Sequence, residues 1–150
     1  MEDRFTGTDQ QAWGGFLRTF AVLDQAIDAD LQARHGLRHT EFEVLLRLRV
    51  APGGRMRIQE LATTSLLTRS GTSRLVNRLE GAGLVTRQVA PEDGRGSYAV
   101  LTAAGMQLFD DLRAEHVRFV RERFHDRLTQ QELRTLARVW TKLLADPPAG

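Results

Sequence analysis

The chain has 150 residues, 41% hydrophobic and 27% charged, with a formal net charge of +2 and no cysteine. These figures fit one folded domain and exclude a disulfide framework, an iron–sulfur site and a thiolate zinc site. No apolar run reaches the roughly 20 residues that a bilayer-spanning helix needs, and the acidic start Met1-Glu2-Asp3 is unlike a signal peptide, so the expected compartment is the cytoplasm.

The first predicted element is an amphipathic helix from about Asp9 to Arg34. Trp13, Phe16, Leu17, Phe20, Leu23, Ile27 and Leu31 recur at the helical spacing of three and four, and Gly36 is a C-terminal stop. Thr40 with Glu43 makes a capping-box pattern that opens a second helix carrying Phe42, Leu45, Leu46 and Leu48, ended by Ala51-Pro52-Gly53-Gly54. Met56-Arg57-Ile58 predicts a short strand, followed by a short helix from Gln59 to about Ser65. Thr68 is a good N-cap for a helix from Arg69 to about Gly81.

Leu84 to Val89 and Ser97 to Leu101 predict two strands around the turn-rich tip Ala90-Pro91-Glu92-Asp93-Gly94-Arg95-Gly96. Thr102 caps a long helix to about Arg127. Thr129 with Glu132 is another capping box, opening a last helix with Leu133, Leu136, Trp140, Leu143 and Leu144, and Pro147-Pro148 ends the fold. The expected architecture is mainly α with a small β-sheet. A small domain has difficulty burying long apolar stripes at both ends of the chain. Either the terminal helices close over one another, or they pair across a two-fold axis in a homodimer.

Residues 59–81 carry the strongest functional signal. Two short helices joined by a turn, the second rich in small hydroxyl residues and Arg, match the needs of a helix-turn-helix DNA reader. On the second helix Thr72, Leu75, Val76 and Leu79 share one face. Ser70, Ser73, Arg74 and Asn77 share the other, with Arg69 and Arg78 at its flanks. Arg forks onto guanine O6 and N7, Asn pairs with adenine N6 and N7, and Ser or Thr serves bases or phosphates. Near Thr68 the free N–H groups of the helix start favour a phosphate. At the hairpin tip Arg95 sits on a glycine-flanked projection suited to a minor groove, with Asp93 placed to hold its guanidinium. The charge agrees: residues 55–95 hold 7 Arg against 4 acids, whereas residues 1–54 hold 6 Arg against 8.

Ile58-Gln59-Glu60-Leu61-Ala62, Ser73-Arg74-Leu75-Val76-Asn77-Arg78-Leu79-Glu80, Gly83-Leu84-Val85-Thr86-Arg87, Glu92-Asp93-Gly94-Arg95 and Leu101-Thr102-Ala103-Ala104-Gly105 follow one another in an order and spacing that resembles the MarR family. The resemblance implies a winged helix-turn-helix homodimer whose N- and C-terminal helices form a dimerisation region. The expected DNA-binding lobe is about residues 55–101, and the dimerisation helices are about 9–34 and 102–146. It further implies a double-stranded, pseudo-palindromic DNA operator, repression of transcription, and release by a small, often aromatic, effector. Carried over by position, Thr68, Ser70, Thr72, Ser73, Arg74, Asn77 and Arg78 match the recognition region, and Asp93 and Arg95 match the wing. Gly94 and Gly96 depart from the family pattern and imply a floppier wing.

Other readings are weaker. His35, His39, His116 and His125 have no Ser or Cys partner at a catalytic spacing, and no glycine-rich phosphate loop follows a strand, so no enzyme is expected. A metal site at His35, His39, Glu41 and Glu43 is disfavoured because Gly36 breaks the helix between the two histidines. A winged helix used only for protein–protein contact is the alternative to DNA binding. Trp13, Phe16, Phe20 and Phe42 are the aromatic candidates for an effector pocket, with core and dimer packing the favoured reading of the same residues.

Overall fold

The computed structural model describes residues 5–64, 69–92 and 94–145, and the chain divides into two compact units, Met1–Arg113 and Ala114–Gly150. In chain order the elements are α1 (Gly7–His35), α2 (His39–Val50), β1 (Arg55–Arg57), α3 (Ile58–Thr64), α4 (Arg69–Gly81), β2 (Val85–Val89), β3 (Ser97–Leu101), α5 (Ala103–Arg123) and α6 (Gln130–Ala145). The mainly helical class with a small sheet is what the sequence predicts.

Helix α1 begins earlier than its apolar stripe. Thr6 caps it through a reciprocal box: the Asp9 N–H donates to Thr6 Oγ1 at 3.3 Å, and the Thr6 N–H donates to Asp9 Oδ2 at 2.8 Å. The helix ends at Gly36, which is left-handed at φ 65°. Its stripe divides into two parts with different fates. Ile27 and Leu31 pack into the core of the first unit, but Trp13, Phe16, Leu17 and Phe20 remain 42–56% exposed in the single chain.

Helix α2 corrects the predicted cap at Thr40. The helix starts at His39, and it is Glu41 that reaches back to accept the Arg38 N–H at 2.8 Å. Thr40 and Glu43 have the right spacing but both lie inside the helix. The helix then buries Phe42, Val44, Leu45 and Leu48, and Phe42 stacks on Phe109 of α5 at 5.4 Å between ring centroids.

The three strands form an antiparallel sheet in the order β1-β3-β2. Arg57 pairs with Tyr98 across β1 and β3, while Val85 pairs with Leu101 and Arg87 with Ala99 across β2 and β3. Alternation puts Val85 and Ala99 in the core. Between β2 and β3 the wing is closed by hydrogen bonds. The Ala90 N–H donates to the Gly96 carbonyl at 2.9 Å, and the Gly94 N–H donates to the Ala90 carbonyl at 3.1 Å. Gly94 is left-handed at φ 62°, so this turn uses the glycine that the family pattern replaces by larger residues.

Helix α5 is fastened to the end of α4. Thr102 Oγ1 donates to the Gly83 carbonyl at 2.7 Å and accepts the Gly105 N–H at 3.0 Å, while the Thr102 N–H donates to the Leu84 carbonyl at 3.1 Å. The predicted extension of this helix to Arg127 is corrected: Phe124 leaves helical geometry at φ −127° and ψ −64°, and His125–Arg127 form a 3-10 turn. In the second unit, Thr129 and Glu132 form the predicted box at the start of α6. Leu143 and Leu144 of that helix are exposed.

Candidate nucleic-acid interface

Helix α4 has two chemically distinct faces, as its sequence period requires. Leu75, Val76, Leu79 and Thr72 are buried, each 5% exposed or less. Ser70, Arg74 and Asn77 are exposed on the outer face, and Ser73 is half-buried. Thr72, matched by position to the recognition region, is 0% exposed and therefore packs with the core instead of presenting its hydroxyl outward. Arg74 lies along its own helix, with Nε donating to the Ser70 carbonyl at 3.3 Å. Thr68, the side chain of Arg69 and Asp93 lie outside the described residues.

Arg78 flanks this face but is already engaged. Its Nη2 lies 2.9 Å from Glu41 Oε1, and the other oxygen of that buried carboxylate caps α2. Arg78 therefore ties the outer flank of α4 to α2 while its side chain stays more than half exposed. Glu41 is equally spoken for, and His39 faces Asp24 with Nδ1 to Oδ1 at 2.7 Å. Among the described residues no group of three or more His, Cys, Asp or Glu is arranged to hold a metal ion.

Arg95 is exposed on the wing and lines an open cleft with Arg57, Gln59, Arg87 and Ser97. Of the three arginines around this cleft, Arg57 faces Glu92 at 3.8 Å and Arg87 faces Glu80 at 3.6 Å. Tyr98 organises the rim of the same sheet. Its hydroxyl donates to Glu92 Oε1 at 2.5 Å, and the Arg55 and Arg57 guanidiniums lie over its ring at 4.6 and 5.4 Å.

Sequence reasoning left one residue without a role, Arg87. From β2 it reaches under α4, where Nη2 donates to the Ser73 carbonyl at 3.2 Å, to Ser73 Oγ at 3.3 Å and to Asn77 Oδ1 at 2.5 Å. The available signal was the strand period. Arg87 shares a face with the buried Val85, and an Arg on the inward face of a strand requires acceptors.

A helix-turn-helix pair leading into a three-stranded sheet, with an arginine-tipped hairpin beside the second helix, defines a winged helix-turn-helix protein. Comparison with known proteins narrows the class. A profile described as MarR family matches residues 35–96. The HTH-type transcriptional repressor Rv2887 of Mycobacterium tuberculosis is 35% identical over 130 residues, 86% of this chain and 90% of that protein. The Bacillus subtilis regulator YkoM is 30% identical over 101 residues, and the match spans only 64% of its length. Sco3205, a MarR family transcriptional regulator from Streptomyces coelicolor crystallised in complex with DNA, superposes with a TM-score of 0.88. It is 32% identical, with 94% of this chain and 88% of that one covered. The chain belongs to the MarR family, a family of transcriptional regulators and not of enzymes.

Proposed function

We propose that the protein is a transcriptional repressor that binds a pseudo-palindromic, double-stranded DNA operator as a homodimer. The observation that carries this reading is the outer face of α4, where Ser70, Arg74 and Asn77 stand exposed beside a wing bearing Arg95. The helix offers base-reading donors for a major groove, and the wing offers an arginine for the adjoining minor groove. Ser73 and Arg78 support the face from its edges, and Thr68, Arg69 and Asp93 complete the proposed contact set by position. The DNA-binding lobe is residues 55–101. No helix among the described residues is long and apolar enough to cross a membrane, which fits a cytoplasmic regulator.

Two uncovered apolar faces support the homodimer. One is the first half of α1, with Trp13 56%, Phe16 42%, Leu17 46% and Phe20 47% exposed. The other lies on α6, with Val139 39% and Leu143 59% exposed. Patches of this size on a single chain mark an interaction surface, and segments 9–34 and 102–146 provide it here. A small aromatic effector binds beside Trp13, Phe16 and Phe20. Phe42 is not part of that set, because its ring is 1% exposed and stacked on Phe109.

The test is titration of duplex DNA at increasing salt. Neutralisation of several phosphates per dimer makes log Kd rise steeply and linearly with log salt. Binding that is flat from low to physiological salt favours the alternative, a winged helix used for protein–protein contact.

A further inference from the structure

We propose that Arg87, a residue of the sheet and not of the reading helix, sets the base preference of that helix by fixing Asn77 as a hydrogen-bond donor. The inference rests on the DNA-reading function proposed above. Ser73, Asn77 and Glu80 follow one another at the spacing of one helix face, and Arg87 binds all three. Its Nη2 donates to Ser73 and to Asn77 Oδ1, its backbone N–H donates to Glu80 Oε1 at 3.1 Å, and its Nε faces Glu80 Oε2 at 3.6 Å. The guanidinium is half-buried, so it is a fixed part of the lobe and not a mobile surface group.

A primary amide has an accepting end and a donating end. A freely rotating Asn reads adenine with both, accepting from N6 and donating to N7. In this structure the accepting end of Asn77 is turned inward onto Arg87. The residue is exposed, and its Nδ2 meets no acceptor among the described residues. Asn77 therefore presents a donor to the groove. It selects the acceptor edges of guanine or thymine and disfavours cytosine, whose N4 amino group is itself a donor. Arg87 is a positioning residue in this scheme: its effect on sequence passes through Asn77.

The experiment selects bound sequences from a random duplex pool. It then measures Kd for the selected site and its single-base variants with wild type, Arg87→Lys, Asn77→Ala and the double variant. Lysine keeps the charge and loses the planar fork. Wild type is expected to prefer guanine or thymine over cytosine at one position per half-site by about tenfold. Arg87→Lys should reduce that preference to within about twofold of Asn77→Ala, with other positions and the salt slope unchanged, and the double variant should lose nothing more.

A uniform loss of affinity with a shallower salt slope would show a phosphate contact and overturn the proposal. So would Arg87→Lys retaining the wild-type preference that Asn77→Ala loses. Should Arg87→Lys fail to fold, Asn77→Asp carries the test. Its carboxylate keeps the bond to Arg87 and presents an acceptor, so the preference should invert to cytosine, and a retained guanine or thymine preference overturns the proposal. A wild-type protein that enriches no sequence at all contradicts the DNA-reading function itself and this inference with it, an outcome distinct from the others.

Discussion

Arg78 of α4 and Glu41 of α2 meet at 2.9 Å, with the acid buried and the base more than half exposed. The same carboxylate caps α2 through the Arg38 N–H, so one side chain joins the start of α2 to the outer flank of α4. Removing the arginine leaves a buried carboxylate with half of its partners. Arg78→Ala should therefore cost about 1–3 kcal/mol of unfolding free energy while leaving base preference intact. Denaturant titration and binding to the selected operator check this in parallel. Unchanged stability with altered base preference would make Arg78 a reader and not an anchor.

Gly105 lies where a Cβ would stand 2.1 Å from the Leu84 carbonyl oxygen and 2.8 Å from the Leu101 side chain. The first of these neighbours is backbone, already held by the Thr102 N–H, so it has little room to yield. Gly105→Ala should destabilise the first unit by about 1–3 kcal/mol or more, read as a lowered Tm. A variant as stable as wild type would show that the start of α5 can move away from the turn after α4.

Arg95 and Arg74 are expected to fail in different ways. Arg95→Ala should weaken all DNA sequences together, because a groove-inserted arginine answers mainly to backbone potential. Arg74→Ala should cost about 1–3 kcal/mol at the selected operator and relax base preference at the position it reads. Single-base variants of the operator separate the two behaviours. Identical patterns for the two variants would contradict the assigned geometry.

The box at the start of α6 makes a pH prediction. The Thr129 N–H and then its hydroxyl bond to Glu132 and hold its carboxyl below the ordinary glutamate value. A depressed folded value means that the cap contributes fully above the unfolded value and is lost as pH falls through the folded one. An NMR titration should give Glu132 a lower midpoint than glutamates with no such bonds, and Thr129→Ala should raise it. An ordinary midpoint that does not respond to Thr129→Ala would contradict the cap.

The uncovered half of α1 predicts an oligomerisation phenotype. A charge placed in a buried apolar interface is costly, so Phe20→Glu should shift the protein from dimer to monomer in sedimentation, with loss of operator affinity. A variant that remains dimeric would place the interface elsewhere.

Much of this was legible before folding, and the exceptions have physical reasons. Helix α4, the two wing strands and the Thr129–Glu132 box follow from local periodicity and capping chemistry, which depend on neighbours in sequence. The cap of α2 was misread because Thr40–Glu43 and Arg38–Glu41 share the same spacing. The decisive fact was the placement of Glu41 between two donors. Ser70, Arg74 and Asn77 stand exposed on the outer face, as the helical period predicts. Thr72 matches the recognition region by motif position but lies on the apolar side of the helical wheel and is buried, whereas Arg78 is exposed at the flank, and its bond to Glu41 depends on the packing of α4 on α2. The strand period turns Arg87 inward, but its partners Ser73, Asn77 and Glu80 follow only from β2 packing against α4, a relation between separate segments that periodicity does not show.

In the proposed function α4 and the wing read a specific DNA sequence from a two-fold symmetric protein. Selection of bound duplexes from a random pool by the wild-type protein tests it most directly. The expected result is an inverted repeat with half-sites about 10 base pairs apart or slightly less, whose affinity falls steeply with salt. Recovery of no sequence preference, with binding that does not respond to salt, would contradict it.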